Sequence, residues 1–219
     1  RGFKREQVIR IPPSVRSEVA DCPLTKEECR EKYGLPADTF TVALADGAYM
    51  MGKAKKYVKK LMKSKERLTL LLLAGYNTEQ YEKFKKLETR TKPNITLKVY
   101  GYLDTAYELY RAADVFITKG GANGLLDSIY MRTPLMVNYC PHIIEEANYK
   151  LFVKHLHCGV GAFRAGKAKK LVESYARDPS LLDEYRKNID TLLSEGNGSD
   201  RIADIIAGVA DKPCEQKPM

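Results

Sequence analysis

Two kinds of apolar pattern alternate along the chain. Uninterrupted apolar runs of strand length, Thr39 to Ala45 (TFTVALA) and Leu68 to Ala74 (LTLLLLA), are separated by segments whose apolar residues recur at helical spacing. Ahead of the first run, Thr25 is a capping residue with Glu28 three positions on, which predicts a short helix to Tyr33 ending near Gly34. A basic helix separates the two runs. After the second, the pattern predicts a helix over Thr78 to Thr89, extended chain over Ile95 to Val99, a helix over Tyr107 to Ala113 and a strand over Asp114 to Ile117. A helix to about Met131, a strand over Pro134 to Asn138, a helix around Glu145 to His155 and a short strand near Gly159 to Ala162 follow. Beyond Lys167 the chain reads as helical, broken at Pro179, with EGNGSD (Glu195 to Asp200) as turn and cap before a last helix. Continuous apolar strands alternating with helices are what a parallel sheet covered on both faces requires. The expected fold is therefore α/β, a Rossmann-like three-layer sandwich.

This reading divides the chain into a connector over residues 1–24, a sheet domain over 25–210 and a tail over 211–219. The connector (RGFKREQVIRIPPSVRS, with Pro12-Pro13) starts at Arg1 rather than Met, so a preceding domain is expected. No apolar run approaches the roughly 20 residues needed to cross a bilayer. In sheets of this kind ligands sit outside the carboxyl ends of the strands, an edge that should carry Asp46-Gly47, Gly75, Gly101-Tyr102, Lys119 to Asn123 and Tyr139 to His142.

Within that edge the stretch TKGGANGL (Thr118 to Leu125) is the most informative, because a strand, a glycine turn and a helix start coincide there. Such a turn aims free backbone N–H groups and the positive end of a helix dipole outward, which suits a phosphate or diphosphate. Tight helix–strand packing is the plain alternative for its glycines. Asp127, four residues after Asn123, falls on the helix face that looks towards the turn, where a carboxylate can accept both hydroxyls of a ribose; a solvent-facing helix acid is the plain alternative. Glu145, Glu146 and Asn148 stand early in a later helix, a placement that the helix dipole alone favours for acids. His142 stands at a strand end and is a candidate substrate contact, whereas His155 and His157 read as surface or packing residues. The chain has no Ser-His-Asp order, GxSxG or P-loop to anchor a hydrolase or kinase reading.

Charge alters the list of partners. Lys and Arg number 37 against 28 Asp and Glu, a net charge of +9, and much of the excess lies in KAKKYVKKLMKSKER (Lys53 to Arg67). Ala54, Val58, Leu61 and Met62 share one face of that segment, so it reads as a core-packed helix with a solvated basic side. An anionic membrane or an acidic substrate is compatible with it, and nucleic acid is the weaker option because no RNA-binding aromatic motif or DNA-binding finger accompanies the charge. The five cysteines (Cys22, Cys29, Cys140, Cys158 and Cys214) are widely spaced without a CxxC pair, which supports neither a disulfide framework nor a zinc site and favours a reducing, cytoplasmic setting.

The segment GYLDTAYELYRAADVFITKGGANGLLDSIYMRTPLMV (Gly101 to Val137) resembles the donor-binding C-terminal half of GT-B glycosyltransferases, in particular the monogalactosyl- and diglucosyldiacylglycerol synthases and the lipid II N-acetylglucosaminyltransferase. It has the family's order of glycine, aromatic, loop acid, helix ending in AAD, strand, glycine turn, helix, X-Pro and strand. EEAN (Glu145 to Asn148) is similar to the family's acidic or glutamine pair followed by asparagine, and LADGAYMMG (Leu44 to Gly52) occupies the place of its first glycine-rich loop. The resemblance implies a UDP-sugar donor site without cofactor or bound metal. Gly47 lies in the first loop, backbone groups at Tyr102 and Leu103 hold uracil, and Lys119, Gly120, Gly121, Ala122 and Asn123 surround the diphosphate. Asp127 takes the ribose, and Glu145, Glu146 and Asn148 face the hexose. It also implies an inverting hexosyl transfer to a lipid or saccharide acceptor, with the general base and most of the acceptor site in the preceding domain, and a peripheral position at the inner face of the membrane. Asp46 and Tyr49 stand where the family usually has glycines, and Asp127 where it has Glu. The alternatives are a UDP-N-acetylglucosamine 2-epimerase, whose ending GNGSDRIADII resembles, and a nucleotide-sugar-binding module without catalysis.

Overall fold

The six predicted strands form one parallel sheet in the computed structural model of the chain, which describes residues 2–50 and 52–210. The strands are β1 (Phe40–Ala45), β2 (Leu68–Gly75), β3 (Ile95–Gly101), β4 (Val115–Lys119), β5 (Leu135–Tyr139) and β6 (Gly159–Gly161), in the order β3-β2-β1-β4-β5-β6. The order reverses between β1 and β4, the switch point at which open sheets of this kind form a crevice. The helices are α1 (Ser17–Ala20), α2 (Lys26–Lys32), α3 (Ala54–Leu61), α4 (Thr78–Lys85), α5 (Ala106–Ala112), α6 (Ala122–Tyr130), α7 (Ile143–Tyr149), α8 (Ala165–Arg177), α9 (Asp183–Leu193) and α10 (Gly198–Ala210). The tail over 211–219 and Cys214 lie outside the described residues.

The uninterrupted apolar strands follow from two cores, one on each face of the sheet. Successive side chains of a strand point to opposite faces, so β1 sends Phe40, Val42 and Leu44 into one core and Ala43 and Ala45 into the other. Strand β2 divides likewise, with Leu68, Leu70 and Leu72 opposite Leu71 and Leu73. The first core is closed by α3, α4 and α8 through Tyr57, Leu61, Phe84 and Val172. The second is closed by α1, α2, α5 and α6 through Val19, Cys29, Leu109 and Ile129. Helix α3 buries Ala54, Tyr57, Val58 and Leu61 and leaves Lys56, Lys59 and Lys60 exposed, which is the face division expected from its spacing. The helix expected to run to His155 instead widens after α7 into a π turn over Lys150–His155, with Cys158 N–H bonded to the Phe152 carbonyl, and this brings both Phe152 and Val153 into the second core.

Thr25 caps α2 with the predicted capping box: its hydroxyl accepts from Glu28 N–H, and its own N–H donates to the Glu28 carboxylate. The helix is then anchored by Asp114 at the head of β4, whose carboxylate pairs with Lys26 and with Arg30 (2.9 Å) and accepts from Thr41 N–H at 2.7 Å. A single side chain thereby ties α2, β1 and β4. Part of the connector is also built into this half. Val15 and Val19 enter the second core, the Asn197 amide bonds both the N–H and the carbonyl of Val15 at 3.2 Å, and Gly198 N–H and the Tyr130 hydroxyl reach the Pro13 carbonyl. The chain's entry and its last helix are thus clasped together beside α6.

Removing one partner from a largely buried ion pair leaves the other charge uncompensated. Asp114→Ala is therefore expected to lower the unfolding free energy by about 3–5 kcal/mol, read by chemical denaturation, while Asp38→Ala, which breaks an exposed pair with Arg67, is expected to change it by less than about 1 kcal/mol.

Candidate functional site

The carboxyl ends of β1, β2, β3 and β4 open into a cavity of about 920 Å³. Gly47 and Ala48 line it from the loop after β1, Gly75 from β2, Tyr102 and Leu103 from the loop after β3, and Thr118 and Lys119 from β4. The first turn of α6 supplies Gly121, Ala122, Asn123 and Gly124, and one turn on comes Asp127. Eight of the residues singled out in the sequence (Gly47, Tyr102, Leu103, Lys119, Gly121, Ala122, Asn123 and Asp127) therefore share one cavity.

The glycine turn is shaped by what surrounds it. Gly121 is the N-cap of α6 and carries no side chain to cap it, so among the described residues no protein acceptor engages the N–H groups of Ala122, Asn123 and Gly124. At Gly120 a Cβ would lie 2.4 Å from the Glu145 carbonyl oxygen, so only glycine lets α7 pass this closely. Across the cavity Gly47 adopts φ +79°, and Gly75, at φ +59°, presses against the Ala48 carbonyl, where a Cβ would lie 2.0 Å away.

Asp127 is partly withdrawn from water, and that burial raises its carboxyl pKa above the usual range, against the opposing pull of the Arg16 guanidinium. Ser14, Val15 and Arg16 form the wall next to it, with Ser199 from the start of α10. This wall is absent from the sequence-based site. Its signal in the sequence is the pair Pro12-Pro13 and the cap EGNGSD, which mark ordered backbone without showing that the two meet.

Gly120, His142, Glu145, Glu146 and Asn148 do not line the cavity. The Glu145 carboxylate is buried and grips Lys119 Nζ at 2.7 Å, leaving its second oxygen without a protein partner. Asn148 Nδ2 donates to the Gly120 carbonyl at 3.0 Å, Glu146 pairs with Lys150 on the outer face of α7, and His142 is the exposed N-cap of that helix. In this structure Glu145 and Asn148 thus support the glycine turn from behind. Asp46, at the end of β1, holds a different part of the frame: it is buried, accepts from Ala54 N–H at the start of α3 and from Asn138 Nδ2 at 3.1 Å, and burial raises its pKa. Gly52 stays small because a Cβ there would lie 2.5 Å from the Asp46 carboxylate.

Three tyrosines from three successive loops stand at the rim. Tyr76 stacks on Tyr102 with ring centroids 4.1 Å apart, and Tyr49 leans on Tyr76 at 5.5 Å. The Tyr102 hydroxyl donates to Asp104 at 2.8 Å. Among the described residues no group of His, Cys, Asp and Glu is arranged to hold a metal ion.

A parallel sheet with this strand order, helices on both faces and its cavity at the carboxyl edge is the architecture of one half of a GT-B glycosyltransferase. The crystal structure of MurG from Acinetobacter baumannii superposes with a TM-score of 0.68 over 87% of this chain and 55% of that one, at 14% identity. The chain belongs to the family described as Glycosyltransferase family 28 C-terminal domain, which it matches over residues 48–177. It is 27% identical to the processive diacylglycerol beta-glucosyltransferase of Bacillus licheniformis over 84% of this chain and 47% of that protein. It is 25% identical to the UDP-N-acetylglucosamine--N-acetylmuramyl-(pentapeptide) pyrophosphoryl-undecaprenol N-acetylglucosamine transferase of a Thermoanaerobacter species over 94% of this chain and 57% of that protein. The chain spans about half the length of the curated relatives it matches. These matches favour the transferase over the epimerase alternative.

The Lys119–Glu145 pair makes a second stability test. Lys119→Met is expected to cost about 3 kcal/mol by stranding a buried carboxylate, and adding Glu145→Gln is expected to recover more than half of that loss in a double-mutant denaturation cycle.

Proposed function

We propose that the cavity binds a UDP-sugar and that the chain is the donor-binding part of an inverting hexosyltransferase acting on a membrane lipid. The observation that carries this reading is the convergence, on one cavity, of the unengaged N–H groups of α6 and the Asp127 carboxylate one turn further on. Those two features are spaced as a nucleoside diphosphate needs them, anion acceptor and ribose acceptor side by side. Uracil would meet the backbone at Tyr102 and Leu103, and the diphosphate would lie against Gly121, Ala122 and Asn123. In the transfer step negative charge develops on the departing UDP. The dipole of α6 is already oriented at that position and would stabilise the charge without reorganisation. The hexose would extend from the diphosphate towards the loop after β5 and the start of α7, where His142 and Glu146 are among the exposed side chains. The base that activates the acceptor hydroxyl is assigned to the part of the relatives' length that this chain does not span. The lipid acceptor follows from the relatives, whose names specify diacylglycerol and an undecaprenol pyrophosphate conjugate. An enzyme with such an acceptor would work at the cytoplasmic face of the membrane.

Calorimetric titration of the chain with UDP, using ADP and GDP as controls, tests the reading directly. UDP is expected to bind preferentially, and Asp127→Ala is expected to weaken it by about tenfold, the loss of roughly one charge-assisted hydrogen bond. Absence of UDP binding by the folded chain would count against the proposal. Binding should also depend on acid. The ribose needs the ionised carboxylate, so affinity is full above the Asp127 pKa and falls as pH drops through it, beginning at a higher pH than for an ordinary Asp because burial raises that pKa. In Asp127→Asn this part of the pH dependence is expected to disappear.

A further inference from the structure

Helices α3 and α8 pack side by side over the first core, and their outer faces form a continuous cationic surface away from the cavity. Lys56, Lys59, Lys60 and Lys63 recur at three- and four-residue intervals along α3 and its C-terminal turn and are all exposed. Arg164, Lys167 and Lys170 do the same at the start of α8. Two adjoining grooves run between the rows, sharing Lys60, Lys63 and Arg164, and among the described residues no carboxylate lines either groove. None of these seven cations takes part in an ion pair among the described residues, whereas neighbouring Lys169 is neutralised by Glu173 at 2.6 Å. Set against a net charge of +9 for the whole chain, the patch concentrates most of the excess on one face.

Holding seven like charges together costs Coulomb energy that the fold does not recover from any partner of its own. A packed core would be equally well served by polar uncharged residues on the outer faces of these helices. The side chains are six lysines and one arginine, point charges on flexible stems, with no amide pairs or stacked aromatic rings between them to read base edges or faces. Such an array suits a surface of many mobile phosphates better than a nucleic acid. Phe163, 44% exposed, precedes Arg164 and lines the same groove, directly after the strand end of β6. An aromatic ring at the border of a lysine array is suited to the headgroup region of a bilayer.

We infer that the α3–α8 face is a docking surface for an anionic phospholipid membrane, with Phe163 seated in the headgroup layer. Attraction of this kind rises with each cation held near the surface and weakens with salt. The inference is independent of what the cavity binds, and the experiment separates the two. The chain is sedimented with vesicles of phosphatidylcholine alone and of phosphatidylcholine mixed with phosphatidylglycerol, at low and at near-physiological ionic strength. The expected result is binding to the mixed vesicles only, weakening with salt. The variant Lys56→Gln/Lys60→Gln/Arg164→Gln/Lys170→Gln is expected to bind them at least about tenfold more weakly. A control variant, Lys83→Gln/Lys86→Gln/Lys92→Gln/Lys187→Gln, removes as many exposed charges elsewhere and is expected to bind nearly as well as the original chain. Phe163→Ser is expected to reduce binding while leaving the net charge unchanged. UDP titration of the patch variant checks that the fold and cavity persist. Failure of the original chain to bind mixed vesicles, equal losses in the two four-site variants, or displacement of bound vesicles by a single-stranded RNA oligonucleotide at lower concentration than by soluble phosphatidylglycerol would each overturn the inference.

Discussion

All six strands run in one direction, and most of what matters in this molecule follows from that constraint. Parallel strands cannot be joined by tight turns, so each must be followed by a return over one face, and the returns cover the sheet on both sides. The central strands are then buried on both faces, which is why they are apolar at nearly every position, whereas β3 at the sheet edge alternates, with Thr96 and Lys98 only half-buried. The same constraint delivers every strand's carboxyl end, and the amino end of each returning helix, to a single edge. Loops that are far apart in the chain meet there, and the reversal of strand order between β1 and β4 leaves space between them. The cavity is a product of the topology before any of its side chains is considered.

What the side chains add is a rigid frame around flexible backbone. Asp46 and Glu145 are both buried acids behind the cavity wall, one holding the start of α3 and Asn138, the other holding Lys119. Asp46 is placed where a loop leaves the sheet and Glu145 in the first turn of α7, and each stands against a glycine position (Gly52 or Gly120) that has no room for a side chain. Buried charge is costly, and its usefulness here lies in geometry. The Lys119–Glu145 pair and the Asn148 bond to Gly120 set the position of the glycine turn on the side away from the cavity. The N–H groups of Ala122, Asn123 and Gly124 are left unengaged on the other side.

The order and type of the elements were legible in the sequence because they rest on local information. Runs such as LTLLLLA have the length of a buried strand and end at a glycine, and the capping box at Thr25 and Glu28 and the turn at TKGGANGL announce helix starts within a few residues. The centre of the candidate site was legible for the same reason, since Gly121 to Asp127 is one continuous segment. The rest depends on contacts across long separations. Nothing near Glu145 indicates that its carboxylate turns inward to a lysine from another strand, so its helix-start position reads equally well as an exposed one. Tyr49, Tyr76 and Tyr102 are regular loop residues taken one at a time and become a stack only when three strand ends are set side by side. The π turn after α7 follows from the need to bury Phe152 and Val153 together, which a 3.6-residue period does not reveal.

The clasp between the chain's entry and its last helix has a consequence for how such domains diverge. Val15, Arg16 and Ser199 stand in the cavity wall beside Asp127, yet they lie outside the residues 48–177 that match the family. That part of the wall is therefore not covered by the residues that match the family. Two chains of equal resemblance to the family can inherit the same glycine turn and differ in the neighbourhood of its acid. Selectivity would then be written in the least conspicuous stretches of the sequence, and a boundary drawn at the first strongly periodic element would remove it along with what looks like a linker.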